Sequence, residues 1–327
     1  MDAKVGKMLI VGCILGCFGN ALTIAAALSC TKSCFFRGRP SLDPTYIEAR
    51  NCLIENGFGG KDWPGGTVKG DLIAVIAAYR VWIKEKKSHK FCSTHALDVT
   101  SLREIDRLRN QFRDLIIDAG LVSRTEGNSG SLDAEDCNIA SDDALLTSCC
   151  IVGGLYPNVC TLARPTGPKA GGRLITNECD TPCRPSSNSF QRIRVQQASK
   201  AGKDAYAMYH AKHRSIGTIS AGQNRPPETF LSEVNFVSKF ALLLFGGEPQ
   251  LVKNAIIIDG WLKFKVSSDD ESGKQNAVLV LSLRELLDKV ILEHVVETFS
   301  SPEEKSKMIE RHKQIIEVVR RVLSDEG

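Results

Sequence analysis

Hydrophobic and polar positions fall into three textures along the chain, and each texture predicts a different kind of element. From residue 8 to residue 28 there is no charged side chain, and Gly12, Gly16, Gly19 and Asn20 interrupt the apolar run. Gly19-Asn20 is a turn signal, so the run is expected to divide into two short helices, 7–17 and 22–29, packed together as a buried element. Helical spacing resumes over 71–84, with Leu72, Val75, Ile76, Tyr79 and Ile83 on one side. The clearest periodicity covers 101–119, where Leu102, Ile105, Leu108, Phe112, Leu115 and Ile116 form an apolar stripe. Ser101 and Glu104 have the spacing of a capping box, and Gly120 is placed to end that helix.

Residues 121–142 are rich in Ser, Gly, Asn and Asp, as in Glu126-Gly127-Asn128-Ser129-Gly130-Ser131, and read as a linker or long loop. From Ala144 the texture changes to short β-type runs broken by Pro and Gly, at 173–175, 205–209, 240–245 and 256–258. Such spacing predicts a small antiparallel barrel or sandwich. Near Leu279 the helical stripe returns with Leu283, Leu286, Leu287 and Val290, and a last stripe runs over 309–323 behind Pro302. The expected organisation is a helical unit at 1–120, a linker at 121–142, a β unit at 143–266 and a helical extension at 267–327. The fold class is therefore α+β.

Charge sharpens this division. Residues 143–266 carry 15 Lys and Arg against 8 Asp and Glu, whereas residues 267–327 carry 9 against 13. A basic middle suits a polyanion, although an uneven surface alone also produces it. The 12 cysteines include no CxxC spacing, which speaks against a zinc ribbon or a thioredoxin motif. Joining Cys179 and Cys183 to His210 and His213 matches no common metal pattern, so no metal site is expected. Most cysteines sit in apolar runs and read as small hydrophobes.

The chain has no GxxxxGK[ST], no DEAH tetrapeptide, no nucleophile elbow, no HExxH and no dinucleotide fingerprint. Gly59-Gly60-Lys61-Asp62 has the wrong spacing for a phosphate loop. No catalytic constellation is complete, and the residues alone describe a binding module.

Several stretches together resemble one family. Gly6-Lys7-Met8-Leu9-Ile10, Cys17-Phe18 and the run 22–29 are similar to the helical ratchet segment that follows the motor in DEAH-box/RNA helicase A proteins. Ala78-Tyr79-Arg80-Val81-Trp82, Phe91-Cys92 and Leu108-Arg109-Asn110-Gln111-Phe112 resemble the same segment. Gly154-Leu155-Tyr156-Pro157-Asn158-Val159 resembles the start of that family's OB-type barrel. Arg184-Pro185-Ser186-Ser187, Tyr209-His210-Ala211-Lys212, Leu242-Leu243-Leu244-Phe245-Gly246-Gly247 and Asp259-Gly260-Trp261-Leu262-Lys263-Phe264 follow in the family's order. The resemblance implies a helical ratchet-like bundle, an OB-type antiparallel β-barrel and C-terminal helices. It also implies a parent ATP-dependent RNA helicase whose two RecA-like motor domains use ATP and Mg²⁺ and lie N-terminal to this chain, which itself carries no cofactor. The chain would then be a natural fragment or a truncated gene product.

The resemblance further implies single-stranded RNA as a partner. In the β unit Arg184, Ser186, Ser187, His210, Lys212 and Arg214 are the candidate contacts, and in the helical unit Arg103 and Arg107. Cations beside aromatic rings suit a single strand, because phosphates meet the charges and bases stack on the rings. In one continuous strand, alternation would place His210, Lys212 and Arg214 on one face and Tyr209 with Ala211 on the other. Where the family usually reads His-Pro-Ser-Ser, Arg184 stands first, which keeps a phosphate contact and loses an imidazole. Two rival readings stay open. One is a docking module for a helicase activator protein. The other is a membrane-anchored or secreted cysteine-rich protein, which needs residues 8–28 to insert and the cysteines to pair. The helicase reading expects a cytoplasmic or nuclear protein with no membrane contact.

Overall fold

The apolar N-terminus folds as two helices, α1 (Ala3–Ile14) and α2 (Phe18–Ser29), joined by the turn at residues 15–17. The turn residue is Gly16, whose φ of +67° lies in the left-handed region that a side chain disfavours. A Cβ there would also stand 2.6 Å from the Ile139 side chain. The expected turn at Gly19-Asn20 is therefore corrected: both residues lie inside the first turns of α2. Tertiary partners override the local signal. The Gly19 N–H donates to Asn138 Oδ1 at 2.7 Å, and buried Asn20 donates to the Ser141 carbonyl at 2.7 Å and to Thr147 Oγ1 at 2.9 Å.

This computed structural model describes residues 2–35, 44–56, 70–122, 135–163, 172–177, 181–201, 204–216, 218–220, 223–225, 227–252, 254–266, 271–296 and 302–324. The glycine-rich part of the expected linker, 126–131, and Cys179 lie outside them. Three helices follow α2 and lead to the long one: α3 (Pro44–Asn56), α4 (Asp71–Lys84), α5 (His89–Thr94) and then α6 (Val99–Asp118). Asp98 caps α6 by accepting the Thr100 N–H at 2.9 Å, and Ser101 is buried one turn in and donates to the same carboxylate at 3.2 Å. The cap thus sits three residues ahead of the expected one, because Asp is as good a cap as Ser and the first turn is buried. Gly120 follows α6 with φ +78°, as expected of a helix stop.

Two segments expected to be β-type are helices. The first is α7 (Ala144–Leu155), which is buried along almost its whole length and packs on α1. The second is the run at 240–245, which lies in a short helix described below. An unbroken apolar run has no period that distinguishes a buried helix from a buried strand. Caps decide both. Asp143 accepts the Leu146 N–H at 3.0 Å at the start of α7. Arg320 then holds the same carboxylate at 2.7 Å.

The β portion contains β1 (Val159–Leu162), β2 (Leu174–Ile175), β3 (Arg184–Pro185), α8 (Arg192–Ala201), β4 (Tyr206–Met208), β5 (Ala211–Arg214), β6 (Thr218–Ser220), β7 (Gln223–Arg225), β8 (Thr229–Ser232) and β9 (Asn235–Val237). After α9 (Lys239–Phe245) come β10 (Pro249–Val252), β11 (Ala255–Ile258) and β12 (Leu262–Lys265). Two long helices end the chain, α10 (Glu271–Val296) and α11 (Pro302–Ser324). The strands pair as a sheet in the order β2-β1-β4-β9, two three-stranded sheets, β10-β11-β12 and β3-β8-β5, and the hairpin β6-β7. All pairs are antiparallel except β3 with β8. The class is mixed α+β, and among the described residues no sheet closes into a barrel.

One large core runs from Val5 on α1 to Leu323 on α11 and takes in Ile256, Ile258, Leu262 and Phe264 of β11 and β12. A smaller core of Cys160, Leu174, Cys183, Val195, Ala207, Leu231, Val234 and Phe236 lies among β1 to β9, the first β region. Three family-like stretches meet at one junction. The Tyr156 hydroxyl donates to Asp259 Oδ2, whose other oxygen accepts the Glu248 N–H at 2.9 Å. Arg284 of α10 donates to the carbonyls of Leu243 at 2.8 Å and Gly246 at 2.9 Å, closing the C-terminal end of α9. No helix among the described residues is long and apolar enough to cross a membrane, and no disulfide joins the described cysteines. The membrane-anchored reading has no support in this architecture.

Candidate nucleic-acid interface

The first β region is fastened to the helical region at the N-terminal end of α4. There the Asp71 N–H donates to the Val234 carbonyl at 3.0 Å. Its carboxylate accepts the N–H groups of Phe190 at 2.9 Å and Val234 at 2.8 Å. Asn235 Oδ1 takes the Leu72 N–H at 2.9 Å. Gly70 lies so close that a Cβ on it would fall 2.1 Å from Asn235 Oδ1. Burial pushes the Asp71 carboxyl up to about 8, and the nearby Glu233 adds to the rise against the opposing hydrogen bonds of Ser189, Val234 and Phe190.

Beside this clasp lies a cleft of about 330 Å³. One wall is helical: Leu28 at the end of α2, Thr31, Lys32 and Ser33 just after it, Leu72 and Val75 of α4, and Ile105 of α6. The other comes from the β region: Ser186, Asn188, His210, His213, Ser232 and Glu233. The polar lining offers hydroxyls, an amide, two imidazoles, an ammonium and the Glu233 carboxylate, beside the apolar Leu28, Leu72, Val75 and Ile105. The His210 imidazole is held below its usual range by desolvation first, then by the positive charges of Lys4 and His213. It is therefore mainly neutral at pH 7 and able both to donate and to accept a hydrogen bond.

Of the expected contacts, Ser186 and His210 line this cleft. Ser187 is exposed on the same loop. Arg184 is drawn toward Glu228, just before β8, at 3.4 Å. Lys212 and Arg214 are exposed on β5, and Lys212 Nζ reaches Thr176 Oγ1 at 3.0 Å. The expected alternation is corrected here. β4 ends at Met208 and β5 begins at Ala211, so no continuous strand passes through His210. The bend is fixed by the Tyr209 N–H donating to Asn158 and the His210 N–H to Ser232. As a result His210, Ala211 and His213 share the cleft. Arg103 and Arg107 lie exposed on α6, and burial pushes the thiol of Cys30 on the cleft wall up to about 11, with Glu104 adding to the rise and Arg107 opposing it. Lys32, Asn188 and Glu233 were not anticipated. The one signal for Lys32 was the polar break Thr31-Lys32-Ser33 directly after an apolar helix.

A family model described as the helicase associated domain (HA2), ratchet-like, matches residues 2–75. Mouse DHX57 is 26% identical over 321 residues, which cover 90% of this chain and 21% of DHX57. The Arabidopsis thaliana DExH-box ATP-dependent RNA helicase DExH1 is 29% identical over 297 residues, covering 89% of this chain and 25% of that protein. The Bos taurus ATP-dependent DNA/RNA helicase DHX36 is 26% identical over 306 residues, covering 90% and 26%. The chain thus spans about a fifth to a quarter of the length of the curated relatives it matches. Residues 2–75 match the ratchet-like helicase-associated domain, and over most of its length the chain is similar to a C-terminal region of DEAH/DExH-box ATP-dependent RNA helicases.

Proposed function

We propose that this chain is a C-terminal accessory region of an ATP-dependent RNA helicase and that it holds single-stranded RNA in the cleft between its helical and β regions. The observation that supports this reading best is the cleft itself. Its lining brings together Lys32, Ser186, Asn188, His210 and His213, and the exposed cations Lys212, Arg214, Arg103 and Arg107 lie on β5 and α6, two elements that contribute to its walls. Such a groove suits a strand that is held through phosphate and sugar without being read. The β strands around it are read as an elaborated, open OB-type unit, since that fold binds single strands across its sheet and loops. ATP and Mg²⁺ belong to the RecA-like motor domains of the parent, which act in the cytoplasm or nucleus. The chain's task is to keep the strand engaged while those domains step.

The test is equilibrium binding of a labelled oligouridylate to the purified chain, compared with a His210→Ala, Lys32→Ala variant that retains its unfolding midpoint. Weaker binding by the variant is expected; equal binding would remove the cleft from the RNA path. Docking of an activator protein is the second reading, favoured by Leu251 and Val252, each 45% exposed on the edge strand β10.

A further inference from the structure

The turn between α4 and α5 concentrates charge that the cleft does not use. Lys84, Lys86, Lys87, His89 and Lys90 fall within seven residues, and all five are exposed. Lys87 is held by Asp106 at 2.5 Å. Lys84, Lys86 and Lys90 have no acidic partner among the described residues. The backbone there is unusual. Lys86 and Lys87 have φ of +51° and +59°, two successive left-handed residues that carry side chains. Glycine would occupy such positions without steric cost. Holding two lysines there instead is a local expense that points to a use for them.

The charge continues along α6. The Arg103 guanidinium lies 2.9 Å from His89 Nε2. Arg107 follows one turn later on the same face, and Ile105 between the two arginines lines the cleft. A row of cations therefore leads from the cleft rim to the lysine turn. We infer that the turn, with Arg103, is a second polyanion site that grips the phosphodiester backbone of an RNA strand where it leaves the cleft. This inference rests on the cleft reading only for the identity of the strand that it continues. An acidic protein surface fits less well. A protein interface needs an apolar centre, and Ile83, 38% exposed, is the one large apolar side chain exposed on this turn among the described residues. Flexible ammonium groups instead suit phosphates that pass in no fixed register.

The experiment measures binding of two labelled oligouridylates, of about 6 and about 20 nucleotides, to the whole chain over a range of salt. A Lys84→Ala, Lys86→Ala, Lys90→Ala variant should bind the short strand as the unaltered chain does. It should bind the long strand more weakly, with a log–log salt slope flatter by roughly 2, if each lysine meets one phosphate. Lys86→Gly should unfold at a higher temperature and still bind the long strand more weakly, which separates charge from stability. Unchanged affinity and slope for the long strand would overturn the inference. So would tighter binding of a polyglutamate peptide than of the long strand at equal salt. If a cleft variant binds both strands normally while the lysine variant loses the long one, the cleft reading falls and this site stands.

Discussion

Asn235 Oδ1 accepts the backbone N–H of Leu72 at 2.9 Å, although the two residues are separated by 163 positions. The same side chain donates to the Glu233 carbonyl at 2.8 Å, and it is buried. One amide thus serves the open N-terminal end of α4 and the bend between β8 and β9. Together with Asp71 it sets the position of one cleft wall against the other.

Removing that amide should be costly. Asn235→Ala strands a buried N–H at the start of α4, a loss of about 1–3 kcal/mol. Gly70→Ala should cost at least as much, since its new Cβ would lie 2.1 Å from Asn235 Oδ1. Urea unfolding monitored by circular dichroism checks both. Midpoints equal to that of the unaltered chain would show that the clasp contributes little.

Asp71 makes the same clasp sensitive to pH. Its folded carboxyl is pushed up to about 8 by burial and by Glu233, whereas in an unfolded chain it titrates near about 3.9. The folded state therefore holds the extra proton between these values. The group's contribution is fully present below about pH 4 and is lost as pH rises through about 8. Glu233→Gln removes the neighbouring negative charge, so the variant should lose less stability than the unaltered chain between pH 5 and pH 8. A parallel decline in both proteins would exclude this coupling.

A second pair has the opposite sign. His294 of α10 and His312 of α11 face each other with ring centroids 5.8 Å apart. Both are buried, and among the described residues neither nitrogen of His294 nor Nε2 of His312 has a hydrogen-bond partner. Burial pulls both imidazoles down to about 4, with the charges of His294 and Arg311 adding to the shift at His312. Unfolded histidines take up protons near about pH 6.5. Stability should thus fall as pH drops from about 6.5 to about 4. His312→Leu should unfold later than the unaltered chain at pH 5, with a smaller difference at pH 7.5, as read by thermal melts at the two pH values.

Lys212 and Arg214 give the RNA reading a number. Both are exposed on β5, so replacing them with Ala should spare the fold. If each meets one phosphate on a single strand, the double variant should flatten the log–log salt slope by about 1.4. Affinity should fall alike for oligomers of different sequence, because phosphate contacts carry no sequence information. Titrations at four salt concentrations decide the matter, and an unchanged slope would place these two residues off the path.

Local pattern was enough for much of the helical architecture. The stripe beginning at Leu72 lies in α4, and the stripe from Leu102 to Ile116 lies in α6 and buries Leu102, Ile105, Phe112 and Ile116, while Ile83 and Leu115 near the helix ends stay exposed. Gly120 and Pro302 punctuate the helices where their backbone preferences say they should. Within α10 the reading was looser: Leu287 and Val290 are buried, but Leu279 is 65% exposed.

Other features depend on partners far away in the chain. The turn after α1 sits at Gly16 and not at Gly19-Asn20, since Asn138, Ser141 and Thr147 satisfy the polar groups that would otherwise favour a break. α7 and α9 are helices because buried apolar runs acquire their state from caps and packing, not from any period of their own. Cationic and polar residues from the Arg184 loop and from β5 could be named as candidates one by one. Their grouping could not, because the break between β4 and β5 lets His210 and His213 line the same cleft as Lys32, and the Asn235–Leu72 bond joins the β and helical sides of that cleft. Nearest-neighbour chemistry specifies a helix within a few residues, whereas a cleft between two units exists only when contacts separated by more than a hundred residues close together.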